Sequence, residues 1–128
     1  MRFKFASFLA IILLTSLSFG QTTQLRSPDC NRLNTPLNKT LYAANASADA
    51  YWFKLLNTST GVTDSVLSAT RSFAMNDPAL SNVTYNCVYD VQVKMSFDGG
   101  SSFGSYGPIC NPETIALVTT LRTPDCGR

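Results

Sequence analysis

Four cysteines, Cys30, Cys87, Cys110 and Cys126, carry most of the reactive chemistry of this chain, which has no histidine. Zinc would need closely spaced cysteine pairs or cysteine with histidine, and neither Cys-x-x-Cys nor His is present. Disulfides are the expected fate of these thiols, with three pairings open. Without His the commonest general base is missing, and with it the usual Ser and Cys nucleophile arrangements. Two carboxylates alone can hydrolyse a glycoside. Yet Asp29, Asp49, Asp64, Asp77, Asp98, Glu113 and Asp125 fall mostly at turn positions, where Asp bonds backbone donors. No catalytic residue is expected. Asp98-Gly99-Gly100-Ser101-Ser102 offers one carboxylate, too few for calcium, and reads as a flexible loop. With no phosphate-cradling glycine motif either, no metal and no cofactor are expected. Trp52 with Lys54 is the remaining candidate: exposed aromatic rings bind partners. The favoured reading is that a neighbouring strand or loop of the same domain covers the Trp52 ring.

The N-terminus bounds where this chemistry operates. Arg2 and Lys4 precede an apolar run from Phe5 to Leu14, and Ser18-Phe19-Gly20 places small residues for cleavage before Gln21. That pattern is a removable signal peptide. A bilayer core needs about 20 apolar residues, and Thr15, Ser16 and Ser18 break this run early. Removing 20 of 128 residues leaves 108, enough for one modest domain. Of the 10 Lys plus Arg, Arg2 and Lys4 go with the leader, leaving 8 against 8 Asp plus Glu. A neutral chain with scattered charge has no footprint for nucleic acid or an anionic membrane. Neither partner is expected, nor is membrane insertion after cleavage. An exported chain also meets an oxidising compartment, which favours the disulfides.

Short strands separated by turns must hold these residues. Thr22 to Leu25 and Leu41 to Ala43 read as strands, with Leu33 to Lys39 as loop or edge. In Ala50 to Leu56, alternation puts Tyr51, Phe53 and Leu55 on a core face and Trp52, Lys54 and Leu56 on the other. Asn57 to Gly61 is a hairpin turn into Val62 to Ser68, and Ser72 to Met75 is a short strand closed by Asn76-Asp77-Pro78. Tyr89, Val91, Val93, Met95 and Phe97 alternate with Asp90, Gln92, Lys94 and Ser96, the signature of a half-buried strand. Tyr106 to Cys110 and Ile115 to Val118 supply the last strands. The expected fold is all-β, an antiparallel two-sheet sandwich.

Thr22-Thr23-Gln24-Leu25-Arg26-Ser27-Pro28-Asp29-Cys30-Asn31-Arg32 returns as Thr119-Thr120-Leu121-Arg122-Thr123-Pro124-Asp125-Cys126-Gly127-Arg128. From Cys30 to Cys126 the offset is 96 residues, the size of an immunoglobulin-like or fibronectin type III module. The chain resembles the fibronectin type III-like repeats of large secreted proteins in gliding bacteria with a type IX secretion system. Ala48, Tyr51, Phe53 and Leu55 match that family's central segment, Tyr106, Gly107 and Cys110 its end, and Cys126-Gly127 the next opening. Asn31 and Ser47 stand where the family has Gly, and Cys87 has no counterpart.

The resemblance implies residues 21–119 as one module and 120–128 as the start of a second. It implies a Cys30–Cys110 disulfide, with Cys87 free or joined to Cys126, and a tyrosine-corner role for Tyr89. It also implies a non-enzymatic, secreted or cell-surface structural or interaction module at the start of a larger protein. Its partners would be neighbouring domains of the same chain. The alternative is a carbohydrate-binding or adhesion module that uses Trp52 and nearby strand residues on an extracellular glycan or protein. Asn38, Asn45, Asn57 and Asn82 begin glycosylation sequons, which act only in a host with the machinery.

Overall fold

The computed structural model describes residues 21–116. The signal peptide at 1–20, the second-repeat opening at 120–128 and the pairing of Cys126 lie outside the described residues. The elements are a helical turn α1 (Ser27–Cys30) and strands β1 (Thr40–Tyr42), β2 (Ala50–Asn57), β3 (Thr63–Ser68), β4 (Ser72–Ala74) and β5 (Tyr89–Ser96). They form two antiparallel sheets, β1-β4 and β3-β2-β5. The described residues are thus mostly β, with almost no helix.

Two irregular segments widen these sheets. Leu25 bridges Ala43, and Arg26 N–H donates to the Tyr42 carbonyl, so the first segment lies along β1. At the other end of the chain, Gly104, Gly107 and Cys110 donate their N–H groups to the Met95, Val93 and Val91 carbonyls. Residues 104–110 therefore run along the free edge of β5. Thr23 also bridges Val93, so the first segment touches both sheets. The crossing explains Gly107. A Cβ there would lie 1.8 Å from the Thr23 carbonyl oxygen, far inside any real contact, so only glycine fits beneath the crossing strand.

The core lies between the sheets. Leu25, Leu41, Phe73 and Met75 face Tyr51, Phe53, Val91 and Val93, all buried, and the Phe53 and Phe73 rings meet with centroids 4.6 Å apart. Alternation in β2 runs as the sequence predicts, with Tyr51, Phe53 and Leu55 buried and Trp52, Lys54 and Leu56 half-buried. In β5 it breaks at the end. The sequence places Phe97 on the core face; instead Ser96 is 1% exposed and Phe97 47%. Ser96 turns inward because its carbonyl accepts Asp49 N–H, while its hydroxyl donates to Asp98 and accepts Gly100 N–H.

Cys30 and Cys110 are joined, with Cα atoms 4.7 Å apart and a sequence separation of 80. The bond ties α1 to the segment beside β5. None of the described cysteines is a free thiol, Cys87 included. Arg26 and Asp29 form an ion pair at 2.8 Å, and the same Asp29 oxygen accepts the Tyr42 N–H at 3.0 Å. Asp29 is fully buried, so removing Arg26 would leave a charge without its partner in a dry site.

Candidate functional site

Two tyrosines fix the loops that enter β2 and β5. The Tyr51 hydroxyl donates to the Asn45 carbonyl at 2.8 Å and accepts Ala48 N–H at 3.2 Å. Tyr89 does the same upstream of β5, accepting Thr84 N–H at 2.8 Å and donating to the Asn82 carbonyl at 3.2 Å. Burial raises the Tyr89 pKa, the Thr84 bond opposes the rise, and Asp64 adds to it. Both tyrosines and Phe53 are buried, with Phe53 between them in the core, and β2 and β5 run side by side from Ala50↔Ser96 to Asn57↔Tyr89.

That register builds the outer face. Trp52 pairs with Lys94 on β5 and Leu67 on β3, while Lys54 pairs with Gln92 and Ser65. Among the described residues no second sheet covers this side. Phe103, from the loop after β5, meets Trp52 edge to face at a centroid distance of 5.6 Å. Lys94 Nζ lies 5.1 Å from the Trp52 centroid, 5.6 Å from that of Phe103 and 4.9 Å from that of Tyr106. Lys54 Nζ sits 4.2 Å from the Tyr106 centroid. Burial raises the Tyr106 pKa. The face is thus an aromatic triad under two ammoniums, as expected where long cationic side chains spread over apolar surface.

Sequence reasoning found Trp52 and Lys54 here and missed Lys94, Phe103 and Tyr106 as their partners. Lys94 was legible as a wet-face residue of β5, but its pairing with Trp52 needs the register of two strands some forty residues apart. Phe103 and Tyr106 follow a glycine-serine loop with no periodicity to place them. Trp52 is covered in part, by a loop ring and a lysine.

Beyond the strand end, Asp98 organises the loop that positions Phe103. Its carboxylate accepts the Ser96 hydroxyl at 2.7 Å, the Ser102 hydroxyl at 2.6 Å and Ser102 N–H at 2.9 Å. Hydrogen bonds from Ser102 and then Ser96 lower its pKa to about 2. A cleft of about 470 Å³ opens between Phe97, Asp98 and Phe103. Among the described residues no group of three or more His, Cys, Asp or Glu is placed to hold a metal ion. No helix among them is long and apolar enough to cross a membrane.

Elsewhere Asn31 and Ser47 fit locally. Neither Asn31 nor Ser47 has positive φ, so neither position requires glycine, and Asn31 Oδ1 accepts Asn111 N–H at 3.0 Å. Of the sequons, Asn57 is 1% exposed, and its side chain accepts Ser59 and Thr60 N–H within the hairpin turn. No family model, curated protein or solved structure matches this chain.

Proposed function

We propose that the protein is a secreted or cell-surface, non-enzymatic module of fibronectin type III-like architecture. Its role is structural or interactive, at the start of a larger multidomain protein exported by a type IX route. The observation that carries this reading is the division of strands. Residues 23–26, β1 and β4 lie on one side, and β3, β2, β5 and 104–110 on the other. Immunoglobulin-like sandwiches divide in this way, with A, B and E against C, F and G, and β3 takes the place of C′. The Tyr89 latch occupies the tyrosine-corner position at the start of the F-like strand. A disulfide closing the module suits an oxidising compartment. The contact surface of such a module is the Trp52 face.

Expression with the native leader tests the reading. The expected product is found outside the cell, begins at Gln21 and shows no free thiol until reductant cleaves its disulfides. Retention in the cytoplasm as a reduced chain overturns it. Turnover in a hydrolase screen that follows the protein through purification overturns the non-enzymatic part.

A further inference from the structure

We infer that the outer face of the β3-β2-β5 sheet is a binding site for an acidic polysaccharide, with Lys54 and Lys94 pairing its anionic groups and Trp52 and Tyr106 stacking on its sugar rings. This rests on the reading of the protein as an extracellular interaction module and names the ligand class of its contact face.

Charge comes first. Lys54 and Lys94 approach the same Tyr106 ring at 4.2 and 4.9 Å, so their ammoniums lie no more than about 9 Å apart. Among the described residues neither has a carboxylate within ion-pair distance, the ion pair there being Arg26–Asp29 beside the other sheet. Asp90 is the acid on the same outer row of β5, and its carboxylate is engaged by Asn111. Two ammoniums therefore share an aromatic floor with no anion of their own among the described residues. From Gln21 onward the chain is neutral overall, with 8 basic and 8 acidic residues, so a polyanion drawn to this protein needs a local cationic site.

Shape decides between anions. A peptide gains affinity from an open strand edge, a helix-sized groove or a polyproline slot. Over Trp52 and Lys54, where β2 is already paired on both sides and the open edge of β3 lies one strand away, a peptide backbone finds no pairing partner, and burying unpaired peptide groups is unfavourable. A sugar ring needs only an aromatic face and nearby hydrogen-bonding groups, which Gln92 and the exposed Thr63 and Ser65 supply on neighbouring positions. The lysines also act as a filter. They occupy the ring faces in the free protein, and a carboxylate or sulfate draws them off and uncovers the rings. A neutral sugar has to displace them with nothing to pair them.

The experiment compares the secreted chain with Lys54→Gln/Lys94→Gln, Trp52→Ala and Lys39→Gln variants, each confirmed folded by thermal melting. Binding is measured to polygalacturonate, dextran sulfate, neutral dextran and poly-glutamate at low and high salt. The wild type should bind one or both acidic polysaccharides, weaken as salt rises, and leave neutral dextran unbound. The double lysine variant should lose about tenfold or more in affinity, the scale of removing two charge-assisted contacts. Trp52→Ala should weaken the polysaccharide complex, and Lys39→Gln, on the other sheet, should leave it unchanged. No binding to either acidic polysaccharide, equal binding to poly-glutamate, or equal losses in the Lys39 and Lys54/Lys94 variants overturns the proposal. Each of these leaves the module reading standing, since that reading falls on export and the state of its thiols instead.

Discussion

On the inner face of β2 and β5, Tyr51, Phe53, Leu55, Val91, Val93 and Met95 are each at most 2% exposed. On the outer face of the same strands, Trp52, Lys54, Gln92 and Lys94 are half-buried. One register and one pleat produce both faces, so the difference lies in what covers them. A second sheet meets the inner face, where apolar area is removed from water and drives folding. The outer face has no second layer among the described residues, and its rings are covered by lysine chains whose charged ends stay hydrated. Buried packing of the first kind is rigid and hard to alter. Surface coverage of the second kind is loose, each exposed cation–ring contact contributing about 0.5–1 kcal/mol, so a ligand can exchange it.

Adjacent substitutions separate the two faces most sharply. Phe53→Ala empties the site against Phe73, and truncating a buried aromatic costs about 3–5 kcal/mol. For a domain of this size each kcal/mol lowers the melting temperature by about 4–8 °C. Trp52→Ala, one residue earlier and on the other face, should cost about 1 kcal/mol, the scale of its ring and lysine contacts. Equal losses in thermal melts would make the outer face a second core and end the comparison.

The Cys30–Cys110 bond belongs to the inner side of the molecule, and its removal ranks next. Closing a loop with a sequence separation of 80 is worth about 4–5 kcal/mol in the chain-entropy model, and loss of such bonds from small secreted domains costs about 2–5 kcal/mol. Cys30→Ser with Cys110→Ser should lower the denaturation midpoint accordingly. Binding at the Trp52 face should persist below the new midpoint. Loss of binding in the folded double variant would show that the outer face depends on this tether.

Much of the inner face was readable before any coordinates. Alternation in β2 and β5 marks it, because the strand period is fixed at two, and Asn57 to Gly61 announces the hairpin through its turn residues. The repeated Leu-Arg-x-Pro-Asp-Cys segment pointed to Cys30 as a module opening, and Cys110 is the residue it is bonded to. The outer face was half legible, since alternation exposes Trp52 and Lys54 but says nothing of what reaches them from Phe103 and Tyr106. Ser96 and Phe97 reversed for a reason no periodicity contains: hydrogen bonds to Asp98 and Gly100 hold the serine inside. Asp29 looked like a turn residue, and its buried bond to β1 depends on a long-range contact, although Arg26 three residues before it was a visible clue.

The tyrosine latches test whether the inner face alone sets the register that the outer face needs. Tyr89→Phe keeps the ring and removes the bonds to Thr84 and Asn82, and Tyr51→Phe removes those to Asn45 and Ala48. Each should cost about 1–2 kcal/mol, the scale of one or two net hydrogen bonds with a donor left wanting. Amide exchange should quicken in residues 82–84 for the first and 45–48 for the second. Faster exchange across the whole of β5 in Tyr89→Phe would show that the latch also fixes the strand.

The smallest effect is expected at Asp98, where the loop joins the two faces by holding Ser96 inward and carrying Phe103 outward. Its carboxyl is held at about 2, below the ordinary 3.8, chiefly by the Ser102 and Ser96 hydroxyls. Because the folded-state value is the lower one, the unfolded chain binds more protons between these two pH values, and stability rises with pH across that window. The contribution is complete above about pH 4 and is lost as the pH falls through about 2. Asp98→Asn keeps one oxygen for Ser102 N–H and cannot ionise. Melting temperatures of wild type and Asp98→Asn should therefore differ modestly near neutrality and converge as the pH approaches 2, the carboxylate being fully exposed to solvent. Parallel curves down to pH 2 would mean that the loop does not need the ionised group, and the serines and glycines alone would hold Ser96 in and Phe103 out.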